Sequence, residues 1–182
     1  AHFKFSDEFP DTAVSSGADI TVQSLHKTLP VFTQCSVLHL KRGLVDENKI
    51  SFAVSMFNTT RPSYVFMASI DNCQNLLSSK SEELFSKYIR NLKNFYENIK
   101  NLKNIKIVTK YDISAKTSAL GYDFGKIVCL CRKKNIFSVE KILKKDYNIN
   151  IEMKGINHIL FMTSICDNKD DFLSLEKARY EI

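Results

Sequence analysis

Ser24, His26 and Lys27 place a hydroxyl, an imidazole and a primary amine within four consecutive residues. A lysine in a tight turn at a strand end loses side-chain entropy and risks desolvating its charge. The same position suits an amine that must condense with an aldehyde, because desolvation lowers its pKa and makes it a better nucleophile. Ser24 and His26 then supply donors for a phosphate beside that aldehyde. The plain alternative is a lysine snorkelling out of a strand-end loop. The tetrapeptide by itself leaves both readings open.

The flanking residues position the turn. Ala18–Gln23 reads as a short buried strand and Ser36–Lys41 as another. The longer string Gly17-Ala-Asp-Ile-Thr-Val-Gln-Ser-Leu-His-Lys27-Thr-Leu-Pro30 continues through Thr33-Gln34 to Ser36-Val-Leu-His39. It resembles the cofactor-lysine segment of the bacterial ornithine/lysine/arginine decarboxylases. Thr60, Pro62-Ser-Tyr64 and Met67-Ala-Ser-Ile-Asp71 resemble the next block of that family. The tail from Lys141 through Asn148-Ile149, Glu152 and Leu160-Phe161 to Ser164-Ile165 resembles its small domain. The resemblance covers nearly the whole chain.

That resemblance implies an α/β fold in two parts. Residues 1–103 would be the C-terminal part of a pyridoxal-phosphate-dependent, aspartate-aminotransferase type I large domain with a connecting helix. Residues 104–182 would be an α+β small domain. It implies pyridoxal 5′-phosphate as cofactor, Lys27 as its covalent attachment point, and Ser24 and His26 at its phosphate. Thr60 falls where the family reaches across a dimer interface to the neighbour's phosphate. Arg61 stands where the family usually has a small hydroxyl residue; a guanidinium there either contacts the phosphate or clashes with it.

The implied activity is decarboxylation of arginine, lysine or ornithine toward polyamine precursors, in a cytoplasmic homodimer or with a complementing N-terminal segment. The family's ring-nitrogen carboxylate lies in an Asp-x-Ala-His segment just upstream of an Ala-His-Phe like Ala1-His2-Phe3, and this chain starts after it. The expectation is therefore a fragment, a truncated gene product or one half of a split enzyme, inactive alone. The competing reading is an inactive remnant serving as a subunit or interaction module.

Composition narrows the remaining classes. The chain has 182 residues, 44% hydrophobic, with a formal net charge of +6. It contains no apolar run of about 18 residues, so no membrane span is expected. The acidic first residues do not resemble a secretory leader. Five cysteines without a Cys-x-x-Cys argue against a disulfide framework or a zinc site. Cys129 and Cys131, two apart in an apolar run, share one strand face and read as core thiols. Part of the positive excess lies between Lys80 and Lys110, among asparagines. Specific nucleic-acid binding would want arginines interleaved with outward aromatics, whereas the aromatics here fall at core spacing.

Along the chain, Ile50–Phe57 reads as a short helix, and Ser63 caps another running to about Leu77. Ser79-x-x-Glu82 is a capping-box pattern that predicts a new, long helix. Its apolar positions, Leu84, Tyr88, Leu92, Phe95, Ile99 and Leu102, fall on one face. Strands are predicted over 105–108, 125–131, 150–153 and 158–164, a helix over 138–145, and a last helix capped by Asp167. His158, at a strand end, reads as structural.

Overall fold

The structure, a computed structural model, describes residues 2–100, 106–115, 117–119, 121–131 and 135–178. The predicted boundary at 103/104, the apolar position Leu102 and the strand start Ile105 lie outside these. The chain forms two compact units, Ala1–Asp7 with Asp11–Ser81, and Glu8–Pro10 with Glu82–Ile182.

In the first unit, β1 (Ile20–Ser24) and β2 (Ser36–Leu40) pair antiparallel, with Val22 opposite Leu38 and Ser24 opposite Ser36. Gly17 enters the hairpin at φ 94°, a left-handed angle that favours glycine. Because strand side chains alternate, Ile20, Val22, Leu38 and Leu40 share one face, and Thr21, Gln23, Val37 and His39 share the other. The sequence predicts buried strands, but here that holds only in part. Val22 is 66% exposed, whereas Gln23 on the polar face is buried. On the polar face Gln23 is satisfied by His39 and by the carbonyl of His2, whereas the buried Thr21 hydroxyl has no partner.

Asp46 caps α1 (Glu47–Phe57), accepting from the amides of Asn48 and Lys49. This extends the predicted helix by one turn into what reads as a loop. Ser63 Oγ accepts from the amide of Phe66, as a cap should. The helix it opens does not stop near Leu77. It continues without interruption as α2 (Tyr64–Ile99, 36 residues), which supplies residues to both units. The predicted restart at Ser79 is therefore corrected: Ser79 Oγ donates back to the carbonyls of Asn75 and Leu76. A mid-helix serine satisfied this way caps nothing.

The second unit is a four-stranded antiparallel sheet in the order β3 (Lys106–Ile107), β4 (Lys126–Leu130), β6 (His158–Met162), β5 (Met153–Lys154). The pairs Ile127↔Phe161 and Cys129↔Ile159 put four buried residues on one sheet face. Its core also takes Tyr88, Leu92, Phe95 and Ile99 of α2, Ile136, Val139 and Leu143 of α4 (Ile136–Tyr147), Phe172, Leu175 and Ala178 of α5 (Lys169–Ala178), and Phe9, Cys131 and Ile165. The aromatic stripe of α2 is thus core, as its spacing predicts. Asn148, at φ 54°, ends α4 in the left-handed conformation.

Three details differ from the sequence reading. The strand predicted over 150–153 is shorter and later, as β5 covers only Met153–Lys154. A short helix, α3 (Lys110–Ser114), follows β3 and is held by a Thr109–Asp112 capping box. The cap of α5 is Asn168, which accepts from Asp170 and whose own amide donates to Asp171. Asp167, the predicted cap, instead accepts from the amide of Ser164.

Candidate functional site

Residues Leu25–Cys35 connect β1 to β2, and the connection starts with a single 3₁₀ turn, Leu25–Lys27. A strand cannot pass into such a turn without freeing backbone groups. Here the Cys35 carbonyl accepts from the amide of Leu25 at 2.9 Å, and the Leu25 carbonyl accepts from Thr28 and Leu29. Ser24 closes β1, His26 is half-buried at the middle of the turn, and Lys27 ends it. The turn therefore gathers the predicted hydroxyl, imidazole and amine within four residues.

His26 Nδ1 lies 2.9 Å from the Cys35 carbonyl oxygen. A carbonyl only accepts, so Nδ1 carries the hydrogen and Nε2 is left to face a ligand. For Nε2 also to donate, to a phosphate for example, the ring must be the imidazolium. Thr28, immediately after Lys27, is buried, and its hydroxyl has no hydrogen-bond partner. An unsatisfied hydroxyl beside the lysine is costly unless something else completes it.

Lys27 is exposed. The inward positions of the connection belong to its apolar residues. Leu25, Leu29 and Val31 line a groove of about 440 Å³ with Ile70, Cys73 and Leu77 of α2. The far end of the connection is pinned to the same helix. The amide of Phe32 donates to Ser69 Oγ at 2.9 Å, and Cys35 Sγ lies 4.0 Å from the carbonyl oxygen of Phe66. The lysine turn is thus held at one end by strand pairing and at the other by a helix.

Thr60 stands apart from the turn, exposed in the connection between α1 and α2. Its neighbour Thr59 accepts the amide of Arg61 through Oγ1 at 3.2 Å, which bends the chain ahead of Pro62. Thr60 and Arg61 are both solvent-facing and do not belong to the turn's hydrogen-bond set.

The sequence reading did not single out Gln23 or His39. The Gln23 carboxamide reaches His2 and His39, at 2.7 Å in each direction. A long carboxamide in a strand, directly after three β-branched residues, was the available signal. Among the described residues, no three His, Cys, Asp or Glu side chains gather as a metal ion would require. No helix among them is long and apolar enough to cross a membrane.

Comparison with known proteins gives this turn its context. The profile of the family described as "Orn/Lys/Arg decarboxylase, major domain" matches residues 1–125. The arginine decarboxylase of Bacillus subtilis (strain 168) is 29% identical over 183 aligned positions, covering all of this chain and 37% of the relative. That of Bacillus cereus is 28% identical, with 40% of the relative covered. The chain thus spans about two fifths of the length of these relatives. A Francisella novicida lysine decarboxylase superposes with a TM-score of 0.69 at 24% identity, over 87% of this chain and 27% of that one. The constitutive lysine decarboxylase of E. coli superposes at 0.71 with 22% identity, over 89% and 28%. The structural likenesses establish a shared mixed α/β fold, and the profile match establishes descent: this chain belongs to the Orn/Lys/Arg decarboxylase family.

Proposed function

We propose that this chain carries the cofactor-lysine segment of a pyridoxal-phosphate-dependent decarboxylase acting on arginine, lysine or ornithine. In this reading, residues 1–103 are part of a type I aminotransferase-like large domain and residues 104–182 are its small domain. The observation that carries it is the 3₁₀ turn that gathers Ser24, His26 and Lys27. The donor set fits the cofactor. A primary amine suits its aldehyde, and a hydroxyl with an imidazole suits its phosphate. The unpartnered Thr28 hydroxyl offers a further donor beside them.

Pyridoxal phosphate, when bound, supplies the electron sink that lets an α-carboxylate depart as carbon dioxide. The chain's own residues hold and orient. Lys27 Nζ is the amine for covalent attachment. Ser24 Oγ and His26 Nε2 would hold the phosphate. In this reading Thr60 would serve the phosphate of a neighbouring subunit in a homodimer. In this reading the product amine would feed polyamine formation, and the reaction would be cytoplasmic.

The test is attachment. The full-length protein incubated with pyridoxal phosphate, reduced with borohydride and digested, should yield the pyridoxyl peptide at Lys27. Lys27→Ala should yield none there. A label on other lysines with Lys27 clean would remove the assignment.

A further inference from the structure

We propose that Gln23 and His39 are positioning residues that set the register of the hairpin and thereby the placement of the Lys27 turn. This rests on the reading of Lys27 as the attachment lysine. Gln23 is buried, at 7% exposure, one residue before Ser24. Its Nε2 lies 2.7 Å from the carbonyl oxygen of His2. A carbonyl can only accept, so this contact fixes which end of the carboxamide is the NH₂. Gln23 Oε1 then faces His39 Nε2 at 2.7 Å, and His39 must donate. The result is one directed chain, His39 N–H to Gln23 C=O and Gln23 N–H to His2 C=O. It joins β2, β1 and the segment before them.

The need for such a chain follows from the hairpin's exposure. A strand slipped by one residue turns every side chain to the opposite face, and burial of one apolar face normally forbids this. Here that brake is weak, because Ile20, Val22 and Leu38 are 41%, 66% and 40% exposed. The polar face does the specifying. Gln23 sits opposite Val37 and His39 opposite Thr21, so Gln23 and His39 meet diagonally on one face, and a one-residue slip would part them. The next pair, Ser24↔Ser36, is followed directly by the Cys35 carbonyl that accepts from Leu25 N and His26 Nδ1. A slip would move that acceptor and unseat the turn bearing Lys27.

The experiment uses the full-length protein containing this chain, with Gln23→Leu, Gln23→Glu, His39→Leu and His39→Gln. Three readouts are taken: the rate of pyridoxal phosphate attachment at Lys27 by borohydride trapping, the cofactor Kd, and amide exchange over residues 20–40 without cofactor. Gln23→Leu and His39→Leu should slow attachment and weaken binding at least tenfold and raise exchange through the hairpin. His39→Gln, which keeps a donor for Gln23 Oε1, should recover to within about threefold of wild type. Should Gln23→Leu not fold, Gln23→Glu carries the test, since it keeps the acceptor for His39 and removes the donor to His2. Wild-type attachment, affinity and exchange in the leucine variants, or in Gln23→Glu in that case, would overturn the proposal while leaving Lys27 assigned. An unlabelled Lys27 in wild type would overturn both.

Discussion

His26 Nδ1 and the amide of Leu25 converge on one acceptor, the carbonyl oxygen of Cys35, each at 2.9 Å. One imidazole nitrogen therefore holds the turn and the other is available to a ligand. The two jobs separate by substitution. His26→Asn keeps an amide donor for Cys35 and withdraws the reach to a phosphate; His26→Ala removes both. A charge-assisted hydrogen bond contributes about 1.5–3 kcal/mol, so both variants should weaken pyridoxal phosphate binding by roughly ten- to a hundredfold. His26→Ala should also loosen the turn. Titration of the cofactor by visible absorbance checks this. Unchanged affinity in His26→Asn would reduce His26 to a purely structural part.

In the second unit, Tyr88 Oη lies 2.7 Å from Thr163 Oγ1, and Thr163 Oγ1 donates to the carbonyl of Gly125 at 2.8 Å. Tyr88 Oη also donates to the carbonyl of Thr163 at 3.1 Å, so the phenol is held against both the hydroxyl and the backbone of that residue. A Cβ added at Gly125 would fall 2.4 Å from Tyr88 Oη. Gly125→Ala should destabilise by about 1–3 kcal/mol through overpacking, and Tyr88→Phe by about 1 kcal/mol. In the Tyr88→Phe background, Gly125→Ala should cost clearly less, because the atom it strikes is gone. Denaturant unfolding of the four variants measures this coupling. Strict additivity would place the strain elsewhere.

How much of this was legible beforehand depended on how local the signal was. The α2 core positions, the sheet strands and the lysine turn could be read because period and turn chemistry are written in adjacent residues. The continuous α2 could not. Ser79-x-x-Glu82 is a valid cap pattern, and only the absence of a backbone break at Ser79 decides against it. The covered polar face of the hairpin was equally hidden, since Gln23, His39 and His2 are far apart in sequence and meet only on folding. Asp167 and Asn168 are both capping types, and backbone geometry alone selects Asn168. At the candidate site, residue identities gave the turn, and its fold-back gave the pinning by Ser69.

The cysteines should divide sharply in reactivity. Cys35, Cys73, Cys129 and Cys131 are buried and Cys166 is exposed. Burial pushes the Cys129 thiol up to about 12, with the neighbouring Cys131 adding to the effect, so its thiolate is scarce at neutral pH. Brief maleimide labelling of the native protein, followed by peptide mapping, should find Cys166 modified and the other four protected until denaturant is added. Fast labelling of Cys129 would mean that the sheet face opens readily.

Acid should act through Asp112. Lys106 and the Thr109 backbone and hydroxyl all donate to its carboxylate and hold it down to about 2. An unfolded aspartate titrates near ~3.9, so the depressed group contributes stability that is complete above that value. The contribution is lost as pH falls through about 2. The pair is partly solvated, so its contribution is of order 0.5–1 kcal/mol. Asp112→Asn should lower stability at pH 7 by about that much and flatten the stability profile between about pH 4 and 2. Profiles of equal slope for both proteins would show that Asp112 is not the titrating group.

The last prediction concerns the 182 residues by themselves. On the hairpin, Ile20, Val22 and Leu38 present apolar side chains to solvent on one face, and Phe52, Met56 and Phe57 of α1 are 66%, 59% and 88% exposed. Apolar surface of this extent on one small unit, whose described sheet is the two-stranded hairpin itself, favours association. Lys27 is an exposed residue as well. The isolated chain is therefore expected to self-associate and to release no carbon dioxide from arginine, lysine or ornithine. Val22→Lys with Leu38→Glu should disperse it, because charge on that face opposes stacking while the two residues still pair across the strands. Light scattering and a carbon dioxide assay beside a Lys27→Ala control read the two halves separately. A monodisperse monomer would count against the exposed face as an association surface. Turnover abolished by Lys27→Ala would show that this chain alone completes the site.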